Sequence, residues 1–243
     1  MIAAACAKIA AMKISALALV FLLLPQFTEF SFSAESAERP PTGVTPDTVT
    51  PRGFPSIGKW MLDADMLPAH WLGEKYYGKK LREPVNVVVI DGLATSAEDA
   101  IQRLITSCKK AGYDKRQGHT GGYGASLGDH FFLQLPGEKD HAFSDAPFEL
   151  NNNHGRFFGP LLWNGKYYFI GAFSREKVEP LSKIKHQYLS FNQARDHFAD
   201  RMDKSTFFRM TGFVDLQNTV VDHADITTGD HDGVAVVLSA SKQ

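Results

Sequence analysis

Cysteine is almost missing from this chain. Cys6 and Cys108 are its only two, so no disulfide framework organises the fold, and a domain of this size needs none. A surplus of either charge is missing as well. Lys+Arg 26 against Asp+Glu 27 leaves a net charge of -1, which excludes nucleic-acid binding through bulk positive charge and an acidic disordered chain. The chain has no repeat of 20 to 50 residues. Its glycine loop, with Lys115 and Arg116, lacks the Lys-Ser/Thr ending that a phosphate-cradling loop needs. What is abundant is apolar material: 44% of the residues, with Phe 18 among them. That is enough for one ordinary domain with an aromatic-rich core.

The N-terminus has the layout of a secretory signal peptide. Lys8 and Lys13 precede an apolar run over residues 14–24, Pro25 breaks it, and Ser31 and Ser33 stand at -3 and -1 of a cut after Ser33. Met12-Lys13 before the run is an alternative start. A membrane-spanning helix needs ~20 apolar residues, so the expectation is cleavage after residue 33 and no stable span afterwards. An uncleaved N-terminal anchor is the alternative. Cys6 precedes the apolar run, unlike a lipoprotein cysteine.

Residues 34–57, with Pro40, Pro41, Pro46, Pro51 and Pro55, read as a Pro-rich linker. Residues 58–83 carry Trp60, Met61, Leu62, Trp71, Tyr76 and Tyr77 and read as an aromatic docking arm or as short helices packed on the domain. The main domain is expected over residues 84–243. Its first strand is the Val-rich run 85–90, interrupted by Asn86. No glycine fingerprint follows that run, which argues against a doubly wound nucleotide-binding fold. Ser96, with Asp99 three residues on, caps a helix that ends at Gly112. Ile101, Leu104, Ile105 and Cys108 line one face of it, so Cys108 reads as a buried small apolar residue rather than a nucleophile. Residues 118–128 hold five glycines and read as a mobile loop. Strands are expected at 131–135, 156–158, 166–173, 207–216 and 233–239. Asn164-Gly165 makes a hairpin turn, and a helix over 193–202 is capped by Asn192. The expected class is α+β: a single domain in which a mixed β-sheet carries two main helices, preceded by the linker.

Three stretches in this order are similar to the LssY carboxy-terminal-domain family. The first is Asn153-His154-Gly155-Arg156-Phe157-Phe158 with the strand Lys166 to Arg175. The second is Lys185-His186 leading to Ala194-Arg195-Asp196-His197-Phe198. The third is Asp232-Gly233-Val234-Ala235-Val236-Val237-Leu238. The resemblance covers roughly residues 84–239. It departs from the family at Glu176, where Asp is favoured, and in the turn before Asn192, which lacks the family's acidic residues. Residues 58–78 and the glycine loop have no counterpart in it. The resemblance implies an envelope-associated domain, found alone or fused to membrane phosphatases of the acid-phosphatase type. It implies no particular chemistry and no cofactor.

Three constellations carry candidate chemistry. His154 and Arg156 are two residues apart, so on a strand they share a face. With Arg175, His186 and Arg195 they would grip a phosphate or carboxylate. The competing structural reading is a salt bridge such as Arg156 with Asp196. A second set, His223, Asp225, His231 and Asp232, offers imidazole and carboxylate ligands for Zn, Mn or Fe, at a spacing that matches no standard site. A solvated polar turn would look the same. Third, Gly124-Ala125-Ser126-Leu127-Gly128 satisfies Gly-x-Ser-x-Gly, but a nucleophile elbow needs a strand before it and a helix after. The chain therefore reads as an exported envelope protein that binds an anionic small molecule, a lipid headgroup or a membrane partner. The alternative is an exported hydrolase, metal-assisted or serine-based. Catalytic residues and cofactors stay unknown at this point.

Overall fold

A computed structural model describes residues 47–138, 140–179 and 186–240. The expected signal peptide, residues 34–46 of the expected linker, and Lys185 lie outside the described residues. The elements in chain order are β1 (Thr48–Val49), β2 (Ile57–Gly58), β3 (Lys80–Leu81), β4 (Val87–Asp91), α1 (Ala97–Lys110), β5 (Asp114–Gln117), β6 (Gly124–Leu127), β7 (His130–Leu135), β8 (His141–Ser144), β9 (Asn152–Trp163), β10 (Lys166–Val178), β11 (His186–Ser190), α2 (Phe191–Ser205), β12 (Arg209–Asp215), β13 (Ile226–Thr227) and β14 (Val234–Ala240). The class is α+β, a mixed sheet of mostly antiparallel strands with two helices.

Twelve of the strands form one curled sheet. Its path runs β1-β2-β6-β7-β9-β10-β4-β14-β12, with β8 on β9, β5 on β8 and β11 on β10. The β4–β14 pairing is parallel. The Val-rich run of β4 is fully buried because both sheet faces are covered. Val87 and Val89 join the helix-side core with Leu104, Phe157, Phe169, Phe173 and Phe198. Val88 joins the opposite core with Ile57, Met61, Phe158 and Ile170.

Local chemistry accounts for the longest elements. Ser96 accepts a hydrogen bond from the Asp99 amide, and Asp99 in turn accepts from the Thr95 amide at 2.8 Å. Glu98 and Asp99 in the first turn and Lys109 and Lys110 in the last complement the helix dipole. Cys108 packs fully buried in the helix-side core, and burial pushes its thiol pKa up. Asn164 and Gly165, at φ 47° and 73°, make the two-residue turn that joins β9 to β10.

Four expectations are corrected. Residues 47–57 are no free linker: Thr48 pairs with Gly58, Val49 pairs with Ile57, and Ile57 enters the core. Residues 58–83 do pack on the domain, but not as short helices. They cross the sheet face opposite the helices as turns, single bridges and the short strand β3, burying Trp60, Met61, Ala69 and Leu81, so residues 47–83 belong to the domain that was expected to begin at 84. The glycine loop is half strand: β6 is buried throughout and pairs with β7. Gly124 is there because a Cβ would run into the Phe131 ring. Finally, α2 is capped by Ser190, which accepts from the Gln193 amide, and not by Asn192. Among the described residues no helix is long and apolar enough to cross a membrane.

Candidate functional site

Alternation along β9 sends Asn152, His154, Arg156 and Phe158 to the sheet face opposite the helices, while Phe157 faces the helices. Across the ladder, β10 places Glu176 opposite Asn152 and Ser174 opposite His154. On the far side of β10, β11 brings in His186. Segment 58–83 lays Trp71 and Glu83 over this end of the sheet, and the stretch between β5 and β6 adds His119, Thr120 and Tyr123. The result is a buried polar cluster in an aromatic frame.

Its hydrogen bonds are specific. His154 Nδ1 lies 2.8 Å from Asn152 Oδ1, and its Nε2 lies 3.3 Å from Ser174 Oγ. Since the amide oxygen can only accept, Nδ1 carries the proton and Nε2 offers its lone pair. Asn152 Nδ2 donates to Glu176 Oε1 at 2.6 Å. His186 Nδ1 sits 2.8 Å from the same oxygen. The His119 ring lies over the His154 ring at 4.7 Å, and Phe148 stacks on His186 at 4.1 Å along the partly exposed rim.

Electrostatics set the protonation states. Burial, reinforced by Arg156 and His186, holds the His119 pKa down to about 3. Burial, with His119 and Arg156, holds His154 well below its usual value. Both imidazoles are neutral at physiological pH. Burial pushes Glu83 up to about 7 against the pull of Arg156. Burial also raises Glu176, offset by the Asn152 hydrogen bond and by His186.

Arg156 is 3% exposed. One terminal nitrogen donates to the carbonyl oxygen of Thr120, and the guanidinium lies 4.9 Å from the Tyr123 ring centre. Its Nε has no partner. No carboxylate among the described residues comes within 4.0 Å of it. The Arg156–Asp196 bridge weighed from the sequence is absent, because Asp196 pairs with Arg195.

Of the five residues expected to grip an anion, His154, Arg156 and His186 meet here and two do not. Arg175 turns to the helix side, where it donates to Gln193 at 3.3 Å. Arg195 is committed to Asp232 at 2.6 Å, Asp196 and the Val234 carbonyl. The expected metal set does not assemble either. His231 is buried against Asn218 at 2.7 Å, Asp232 holds Arg195, and His223 and Asp225 are exposed, the Asp225 amide donating to His223 Nδ1. That loop is a clasp: Asp230 accepts from the Phe191 amide and from Ser190 at the start of α2. Ser126 lies inside β6, its hydroxyl without a hydrogen-bond partner and no helix after it, so the elbow geometry is not formed.

Sequence reasoning missed His119, Glu83, Asn152, Ser174 and Glu176. Glu176 and Asn152 could have been found from i, i+2 spacing to Ser174 and His154. His119 and Glu83 reach the site only through packing. Among the described residues one group of side chains has the composition and proximity to hold a metal: His119, His154 and Glu176, with ligand atoms within 4.8 Å of one another. Comparison with known proteins returns no matching family model, no matching curated protein and no matching solved structure.

Proposed function

We propose that this chain is an exported envelope protein whose domain binds a small oxyanion, a phosphate or a carboxylate, at the cluster of Arg156, His154 and His186. The N-terminal layout of lysines, apolar run and small residues supports export, and the LssY-like order of motifs supports an envelope setting. The observation that carries the binding reading is Arg156. A buried guanidinium with an unpaired Nε, and with Glu83 and Glu176 acting on it only from beyond salt-bridge distance, is a costly arrangement. A ligand oxyanion would supply the missing acceptor in the bidentate manner that suits arginine. His186 and Phe148 are partly exposed at the edge of the cluster, and Glu83, close to half-protonated near neutrality, can donate as well as accept.

Thermal unfolding of the full chain with inorganic phosphate, glycerol phosphate and citrate tests this. A ligand-dependent rise in Tm is expected, lost in Arg156→Gln. Glycerol phosphate acting more strongly than phosphate would point to a lipid headgroup. No shift with any of the three, or an unchanged shift in Arg156→Gln, overturns the reading.

A further inference from the structure

We infer that His119, His154 and Glu176 form a binding site for one divalent transition-metal ion of the zinc class. The site shares His154 with the oxyanion reading but uses Arg156 as neither ligand nor support, so the two are tested by different variants. Two imidazoles and one carboxylate are a recurrent ligand set for such ions, leaving one position open for water or ligand.

Four observations carry it. The three side chains come from separate parts of the chain, the β5–β6 connection, β9 and β10, and their ligand atoms still fall within 4.8 Å of one another. All three are buried, at 4%, 6% and 2% exposure. His119 Nε2 is buried without any hydrogen-bond partner, an unsatisfied position in a protein interior that a metal ion would fill. His154 has the support expected of a metal-binding imidazole: Asn152 Oδ1 takes the Nδ1 proton and leaves the Nε2 lone pair, now 3.3 Å from Ser174 Oγ, to ligate. Asn152 Nδ2 also steadies the Glu176 carboxylate, so one amide orients two of the three ligands.

Neutral imidazoles can ligate without first losing a proton. The nearest groups to the buried Glu176 carboxylate are an amide and imidazoles, with Arg156 acting only at longer range, and a metal ion would give it a direct cationic partner. Tetrahedral ligands ~2.1 Å from zinc stand about 3.4 Å apart. The three ligand atoms here lie within 4.8 Å of one another, so side-chain rotations would bring them to that spacing.

The test is titration of the full chain, stripped by chelator, with Co²⁺ and then Zn²⁺. One equivalent of Co²⁺ should bind with the visible absorption of a low-coordinate nitrogen and oxygen site, and Zn²⁺ should displace it. His119→Gln removes a ring that makes no side-chain hydrogen bond, so its metal-free Tm should stay near the native value while Co²⁺ affinity falls more than about tenfold. Glu176→Gln should lose the site, and Arg156→Gln should keep it. His223→Ala, in the acidic loop, should bind like the native chain. Substoichiometric uptake, native-like binding by His119→Gln, or loss of binding in His223→Ala each overturns the inference. The phosphate-dependent Tm shift is read separately, so either proposal can fail alone.

Discussion

Asn86 shows how a single polar residue inside an apolar run can be structural. It is fully buried; its Nδ2 donates to the Phe173 carbonyl at 2.9 Å, and its Oδ1 accepts from the Phe173 amide at 3.0 Å. It therefore supplies both hydrogen bonds that the β10 backbone needs where it diverges from β4. Asn86→Val would lengthen the apolar run and still leave two backbone groups buried and unpaired. A loss of about 2 kcal/mol is expected in urea denaturation. A neutral or stabilising result would contradict this assignment of the β10 hydrogen bonds. Arg156 is the converse case, a buried cation whose surroundings leave one donor free.

The beginning of α2 shows why a cap is hard to read from spacing alone. Asn192 is a good capping residue by type, yet β11 runs directly into the helix and Ser190 takes the role. Ser190 also donates to Asp230 at 2.5 Å, tying the 223–232 loop to the helix start. Ser190→Ala should cost about 1 kcal/mol or more. Asn192→Ala, which loses an exposed bond to the Asp230 carbonyl, should stay within about 0.5 kcal/mol. Equal losses in chemical denaturation would return the cap to Asn192.

At the level of the entire chain, buried histidines should govern stability against pH. His119, His154 and His231 all have folded-state values depressed by burial, to about 3 for His119 and about 4 for His231. The unfolded chain titrates them near 6.5. Their contribution is fully present above ~6.5 and is lost as pH falls toward the folded values, because the unfolded state binds more protons. Each histidine adds a slope of at most about 1.4 kcal/mol per pH unit. Glu83, raised to about 7, works in the opposite direction as pH rises, and Glu176 is raised as well. Three imidazoles outweigh two carboxylates, so the chelator-treated protein should lose stability steadily between pH 6.5 and 5. A flat or rising Tm over that range would show that these histidines are not buried neutral in solution.

Short-range chemistry alone was enough for the pieces of this protein whose cause spans a few residues. The Ser96 cap, the Asn164-Gly165 turn, the Val-rich strand, the burial of Cys108 and the shared face of His154 and Arg156 are of that kind. The makeup of the site was settled by register and packing. Counting back from the turn without interruption pairs Arg175 with His154. The irregularity between Tyr168 and Ile170 shifts the ladder by one residue, so Ser174 stands opposite His154 and Arg175 turns toward the helices. Side chains alternate with a period of two, so a slip of one residue exchanges everything on a face. His119 and Glu83 enter only because residues 58–83 and the glycine-rich stretch fold over that end of the sheet. Contacts between residues so far apart in the chain leave no periodic trace in the order of amino acids.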